Sequence, residues 1–170
     1  ADDALDELDE FVIIDLSNSN GAGLGLTSRH TYTITDNDPS PTIGFNTTSS
    51  NRTESVSSAN LQVDLSAVSG RDVTVDYTVT GTATGGGTDY TLASGTLTIS
   101  AGSTSSNITI ASIVDDLLDE DNETVIVTLL NPTGATLTAN TVHTYTINDN
   151  DPTPTVTLSV SSGSIAENAG

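Results

Sequence analysis

The chain of 170 residues contains no cysteine, methionine, tryptophan or lysine, and only six of its residues are aromatic. Without cysteine it can form neither disulfides nor thiolate zinc sites, and without lysine it can form no Schiff base. No apolar run is long enough to span a membrane, so we expect no membrane insertion. The chain begins at Ala1 rather than at methionine, and we expect it to be a segment of a longer protein.

Positive charge is almost absent. The chain has three arginines and 23 acidic residues, which gives a formal net charge of −20. A nucleic-acid partner is therefore excluded, because phosphate recognition needs a basic surface. Two explanations remain for so many carboxylates: a solvating acidic surface, or bound divalent cations that the formal charge omits. The positions of the acids along the chain decide between them.

One acidic phrase occurs twice. "TYTITDNDPSPT" begins at Thr31 and "TYTINDNDPTPT" begins at Thr144, so the offset between the copies is 113 residues. At this offset residues 1–57 align with residues 114–170 without a gap, and 26 of the 57 pairs are identical. The pattern predicts a tandem array of modules. Residues 1–38 are the C-terminal part of one module, 39–151 a complete module, and 152–170 the N-terminal part of a following one.

Apolar and polar residues alternate in short segments between turns rich in glycine and asparagine. "LQVDLSAV" places Leu61, Val63 and Leu65 on one face, and further segments such as "DVTVDYTV", "TLTIS", "NITIASIV", "TVIVTLL" and "HTYTIN" behave in the same way. A period of two indicates strands with one buried face. About seven strands in a module of this size predict an all-β fold, an immunoglobulin-like antiparallel β-sandwich.

Acidic residues of the complete module gather where strands end. They are Glu54, Asp89, Asp115, Asp116, Glu120, Glu123, Asp149 and Asp151. Ends of alternate antiparallel strands share one edge, so we expect these carboxylates to meet at one tip, where they would repel unless cations lay between them. Oxygen ligands without cysteine or histidine suit Ca²⁺ better than Mg²⁺ or Zn²⁺. Taken alone, "DNDP" is better explained as a turn and "DEDNE" as a solvated loop. The whole constellation, repeated at a fixed offset, favours Ca²⁺.

The sequence from Thr42 to Asp151 resembles a Calx-beta domain, the β-sandwich of sodium–calcium exchangers and of many bacterial surface proteins. The matching text includes "GTATGGGTDY", "GTLTI", "DDLLDEDNE" and the closing "DND". A cadherin-like module is the rival interpretation, since cadherin linkers carry a similar closing phrase, but the "GTA…DY" and "DD…E..E" elements favour the Calx-beta domain. The resemblance implies several Ca²⁺ ions held by the eight acids named above, with Glu123 either a ligand or a support to the others. Asn150 replaces the middle aspartate of the exchangers' triplet, so we expect fewer ions or weaker binding.

The flanking fragments carry incomplete counterparts of this site. These are Asp2, Asp3, Glu7, Glu10, Asp36 and Asp38 in residues 1–38, and Glu167 in residues 152–170. His30 and His143 occupy equivalent repeat positions, in phase with Tyr and Ile on one strand face, and a packing or surface-ladder role explains them better than catalysis. Because no nucleophile–base pair or phosphate-binding loop can be identified, we expect no enzyme activity.

Three functions fit the sequence. The first is a calcium-binding structural repeat of a long secreted or cell-surface protein, adhesin-like and bacterial, in which Ca²⁺ stiffens the junctions between modules. Its partners would be the neighbouring modules and a cell-surface glycan or protein. The second is a Ca²⁺ sensor that regulates an attached transporter or receptor. The third is an accessory module of a secreted enzyme whose catalytic domain lies elsewhere.

Overall fold

The computed structural model of the chain describes residues 3–18, 20–159, 162–164 and 167. Its regular structure consists of strands: β1 (Glu10–Asp15), β2 (Arg29–Ile34), β3 (Thr42–Phe45), β4 (Ser49–Thr53), β5 (Ser58–Leu65), β6 (Val73–Gly81), β7 (Gly95–Ile99), β8 (Ser105–Ala111), β9 (Glu123–Thr133), β10 (Thr136–Leu137) and β11 (Val142–Asn148). Within these ranges no helix has the length and apolar character needed to cross a bilayer.

Strands β3 to β11 form a sandwich of two sheets. One sheet has the order β10-β3-β5-β8 and the other the order β4-β11-β9-β6-β7. Side chains from both sheets share one core, in which Ile43, Leu61, Val75, Val127 and Tyr145 are among the most buried. The all-β sandwich predicted from the alternating pattern is thus confirmed. The alternation itself also holds, since Leu61, Val63 and Leu65 are buried and their neighbours are not.

The first strand of the module belongs to both sheets. β3 pairs with β5 in one sheet, the chain crosses over at residues 46–48, and β4 then pairs with β11 in the other sheet. The β4–β11 and β10–β3 pairs are parallel, whereas every other pair is antiparallel. The sandwich is therefore mixed at its edges and not purely antiparallel, a detail that alternation cannot predict because it specifies faces and not neighbours.

Strands β1 and β2 form a separate antiparallel hairpin that repeats the geometry of β9 and β11. Glu10 pairs with Ile34 just as Glu123 pairs with Ile147, 113 residues further on. The apolar face of the hairpin is exposed: Val12 is 47% accessible, while its counterpart Val125 is fully buried. The hairpin therefore has the local structure of a module's last strands without the sheet that covers them in residues 39–151.

Strand direction brings several loops to one end of the sandwich. At this end β4 and β11 finish side by side, with Thr53 opposite Asn148. β9 begins there with Glu123 opposite Ile147, and β6 ends there at Gly81 opposite Val125. The turn after β4, the segments 82–89 and 112–122 and the residues that follow β11 consequently share this end, which carries the acidic residues.

Candidate metal centre

Three carboxylates form the centre of the acidic end. Glu54, Asp149 and Asp151 each place an oxygen within 4.8 Å of the others. The backbone N–H of Glu54 donates to the carbonyl of Asn148 at 3.1 Å, which fixes the turn after β4 against the end of β11. The N–H of Asp151 donates to the Asp149 carboxylate at 3.3 Å, which curls the chain so that both side chains face Glu54.

Two buried oxygens of this triad, Glu54 Oε1 and Asp151 Oδ2, have no hydrogen-bond donor among the residues that the structure describes. Burial raises the pKa of Glu54; the backbone amide of Asn150 opposes the rise, and the charges of Asp149 and Asp151 add to it. A buried carboxylate oxygen without a donor is costly, and in native proteins such an atom calls for a specific partner. A cation supplies that partner.

The acidic loop after β8 is joined to the same centre. The Asn150 side-chain amide donates to Asp115 Oδ1 at 3.2 Å. The Leu118 N–H donates to Asp116 Oδ1 at 2.7 Å, which holds the Asp116 carboxylate in a local turn. Asn122 accepts a hydrogen bond from the N–H of Asp149 at 3.0 Å. Asn150 and Asn122 thus tie the loop to the end of β11 and bring its carboxylates beside the triad.

Asp89, Glu120 and Glu123 complete the cluster. The Asp89 carboxylate accepts a hydrogen bond from the Thr84 N–H, which closes the segment between β6 and β7. Burial, a hydrogen bond with Asp89 and the Asp89 charge raise the pKa of Glu123 to about 7. Desolvation and then the charges of Asp116 and Asp89 also raise the pKa of Glu120. Burial is the larger cause for both groups and the negative charges of their neighbours add to it, so these carboxyl groups are costly to ionise without a counter-ion.

The structure therefore brings all eight acids predicted from the sequence to one end of the sandwich. Glu54, Asp149 and Asp151 form the close triad. Asp115 and Asp116 interact electrostatically with Asp151, and Glu120 and Glu123 interact with members of the triad and with Asp89. The sequence argument missed Asn122, whose role depends on the fold of the loop. Its only sequence signal is its place in "DEDNE", one residue before β9.

The equivalent cluster of the preceding fragment repeats much of this geometry. Asp3, Glu7, Glu10, Asp36 and Asp38 line a cavity of about 280 Å³. The Asp36 N–H donates to Asp9 at 3.0 Å, as the Asp149 N–H does to Asn122 at the repeat offset. The Leu5 N–H donates to Asp3 at 3.0 Å, as the Leu118 N–H does to Asp116. Asp2 lies outside the described residues, and Glu167 is exposed.

The donor set fits a hard divalent cation. It offers only oxygen atoms, from carboxylates, the Asn150 and Asn122 side chains and backbone carbonyls, and it lacks both histidine and cysteine. Flexible carboxylates in this number suit the six to eight oxygen ligands of Ca²⁺. Mg²⁺ prefers fewer carboxylates and retains water, and Zn²⁺ prefers nitrogen or sulfur.

Comparison with known domains identifies the family and the fold. The family model of the Calx-beta domain matches residues 35–151. The chain belongs to the Calx-beta domain family. No curated protein sequence matches it.

Several solved structures of Calx domains share its fold. The apo form of the Calx CBD1 domain superposes with a TM-score of 0.59 at 24% identity, over 66% of this chain and 100% of that domain. The CBD12 structure from CALX1.2 has a TM-score of 0.58 at 23% identity, over 64% of this chain and 44% of that structure. The calcium binding domain CBD12 of CALX1.1 has a TM-score of 0.57 at 26% identity, again over 64% of this chain and 44% of that structure. The chain thus spans less than half of each CBD12 structure.

Proposed function

We propose that this Calx-beta chain is a calcium-binding structural repeat of a long secreted or cell-surface protein, of the bacterial adhesin type, in which Ca²⁺ stiffens the junctions between modules. The observation that carries the proposal is the triad of Glu54, Asp149 and Asp151, with two buried oxygens that have no described donor. Ca²⁺ is the ligand whose chemistry matches this set. The role of the chain is binding, not catalysis.

The position of the cluster supports a role in the junction. Asp151 is followed directly by Pro152, and Pro154 comes two residues later, so the connection out of the module is short and extended. Thr153, between these prolines, donates to Asp119 of the acidic loop at 3.4 Å. An ion that draws the acidic loop and the end of β11 together therefore also restrains the residues that leave the module.

The duplicated cluster supports a serial arrangement. The incomplete site in residues 1–38 lies at the entry to the complete module, just before Pro39 and Pro41, as the complete site lies before Pro152 and Pro154. The neighbouring modules of the same chain would then be the first partners, with a glycan or protein of a cell surface as the ligand of the parent. Extracellular modules bind Ca²⁺ at about 10⁻⁴–10⁻³ M, which extracellular fluids supply.

Removal of Ca²⁺ tests this function. In solution scattering and thermal unfolding of the whole chain, EDTA is expected to broaden the distribution of distances and lower the melting temperature, because the carboxylates lose their counter-ions. A matched variant with Asp149→Asn and Asp151→Asn removes two charges and leaves the core unchanged, and it should not respond to EDTA. Identical scattering and melting curves of the natural chain with Ca²⁺ and with EDTA would contradict the proposal.

A calcium sensor that regulates an attached transporter or receptor is the second candidate. The observation that favours it is the likeness to the CBD12 structures, one of which is described as a calcium binding domain. Asn150 and the serial repetition favour the structural role instead, since a neutral residue replaces a charged one at the centre of the closing triplet. Affinity separates the two: a sensor requires micromolar binding, and a structural junction works near millimolar.

A further inference from the structure

The contact between the preceding fragment and the complete module centres on Asp6, a carboxylate that does not belong to the acids assigned to calcium. Asp6 belongs to the acidic loop of residues 1–38 but is only 5% exposed, because it lies against the turn between β5 and β6. Arg71 Nη2 donates to Asp6 Oδ2 at 2.5 Å. Ser40 donates to Oδ1 at 3.0 Å, and Ser69 donates to Oδ2 at 3.4 Å. Both carboxylate oxygens are therefore used.

The backbone makes the same junction. The N–H of Gly70 donates to the carbonyl of Asp6 at 3.0 Å, and Asp6 and Ser69 form an isolated parallel bridge. A Cβ on Gly70 would lie 2.8 Å from Cγ of Glu7, so the turn approaches the acidic loop as closely as a glycine permits. The Ser69 hydroxyl also accepts from the N–H of Arg71 at 3.1 Å, which fixes the turn that presents the arginine.

Half of this contact recurs at the other end of the module. Asp119 is the counterpart of Asp6 at the repeat offset of 113, and Thr153 is the counterpart of Ser40. Thr153 donates to Asp119 as Ser40 donates to Asp6. The positions that correspond to Ser69 and Arg71 would follow Thr153 by 29 and 31 residues, past the end of this sequence.

The three arginines differ in their ion pairs with acidic residues. Arg29 pairs with Asp15 across the β1–β2 hairpin, in an exposed ion pair within one fragment. Arg52 forms no ion pair with any described residue. Arg71 is the cation that joins residues of one module to the loop of another, and its side chain is 33% exposed. An ion pair that is largely shielded from water and shares its carboxylate with two hydroxyls is worth more than an exposed one.

We propose that Asp6 and Arg71 form a latch that docks the acidic loop of one module onto the Ser69–Gly70–Arg71 turn of the next, without Ca²⁺. Asp119 with Thr153 is the corresponding half-latch at the following junction. Its partner is a turn that presents a hydroxyl, a glycine amide and an arginine. The proposal rests on the tandem arrangement of modules proposed above and adds a contact that persists when calcium is removed.

Hydrogen exchange of the Gly70 amide in the whole chain tests the latch, because this N–H is bonded across the junction. In EDTA, Asp6→Asn and Arg71→Gln are each expected to speed its exchange about tenfold, as for the loss of a charged hydrogen bond. The double variant should add little to either single one. Amides of the core strand at Val127 should remain protected in all variants, which shows that the sandwich stays folded.

Two variants serve as matched controls. Asp119→Asn makes the same change at the equivalent position, where no arginine follows in this chain, and Arg29→Gln breaks the exposed ion pair. Neither should change Gly70 exchange. Unaltered Gly70 exchange in Arg71→Gln, or loss of protection in EDTA in the natural chain, would overturn the latch. A failure of calcium binding would leave the EDTA result standing, so the two proposals fail separately.

Discussion

Glu54, after β4, and Asp151, after β11, each have a buried carboxylate oxygen without a described hydrogen-bond donor, and an oxygen of each lies within 4.8 Å of the other and of Asp149. Carboxylates this close together and shielded from water destabilise the folded chain unless a cation lies between them. The fold and the calcium site are connected, because the strand ends that close the sandwich also bring together carboxylates that require a cation.

Neutralising Glu54 distinguishes the repulsion between the carboxylates of the triad from their binding of Ca²⁺. In EDTA, Glu54→Gln is expected to raise the melting temperature, since it removes one buried charge from the triad. With Ca²⁺ present at about one hundred times the dissociation constant, the natural chain should gain about 2.7 kcal/mol. The variant should gain far less. Thermal unfolding with and without Ca²⁺ measures both effects.

Asp64→Asn is the control for that experiment. It removes the same charge from β5, where Asn46 and Gln62 donate to the carboxylate far from the cluster. Its calcium response should match that of the natural chain. An equal loss of response in both variants would show that net charge, and not the cluster, governs stability.

The stability of the calcium-free chain should fall as the pH rises. The pKa of Glu123 is raised from 4.5 to about 7 in the folded chain by burial and by its neighbour Asp89. The folded state therefore holds this proton more tightly than the unfolded state. The resulting stability is fully present below pH 4.5 and is lost as the pH passes about 7. Denaturant titrations in EDTA across this range measure the decline.

The variant Glu123→Gln tests whether Glu123 causes this loss of stability with rising pH. The variant should make the dependence between these pH values shallower, because it removes one strongly shifted group, while Glu54, Glu120 and Asp151, whose pKa values are also raised, retain the remainder. Asp6 does not contribute in this range: although burial opposes the shift, its hydrogen bond with Arg71 lowers its pKa below the ordinary 3.8. A natural chain that grows more stable from pH 5 to pH 8 in EDTA would contradict the prediction.

The hydroxyl of Tyr145 forms no hydrogen bond with any described residue of the core. Its side chain is 2% exposed, and its hydroxyl is buried without a partner in the described part of the chain. Tyr145→Phe is therefore expected to leave the free energy of unfolding unchanged or to raise it by about 1 kcal/mol. Leu129→Ala, in the same core, should lower it by about 3 kcal/mol and so show that the measurement is sensitive. A loss of more than about 1 kcal/mol in Tyr145→Phe would reveal a hydrogen bond to that hydroxyl.

Gly81 ends β6 where the chain enters the segment that carries Asp89. Its φ is +139°, and a Cβ there would collide with the backbone carbonyl of Thr124, the residue after Glu123. Gly81→Ala should lower the free energy of unfolding by about 3 kcal/mol or more and weaken Ca²⁺ binding, since it displaces the start of β9. Gly23→Ala, whose Cβ would meet open space, should do neither.

Sequence reasoning predicted what depends on local pattern. Alternation identified the buried faces of β5 and β11, including His143, which is 2% exposed and packs against Phe45. It did not predict that β3 and β4 lie in different sheets, because the choice of a neighbour depends on contacts distant in the chain.

The candidate site divides in the same way. Strand direction determines which loops converge at one end of the sandwich, so the sequence could predict that the eight acids lie near one another. The raised pKa of Glu123 and the support from Asn122 depend on how the loops fold, and composition does not carry that information. The pairing of Asp6 with Arg71 joins residues 65 positions apart, and neither residue stands out in the sequence.

Calorimetric titration of the whole chain with Ca²⁺ measures directly whether the acidic cluster binds the ion. We expect more than one ion to bind the complete module, at about 10⁻⁴–10⁻³ M. The double variant with Asp115→Ala and Asp116→Ala should lose most of this binding. Micromolar binding would favour the sensor over the structural junction. If the natural chain gave no calcium-dependent heat, or if it and the double variant bound equally, the acidic cluster would not be a calcium site.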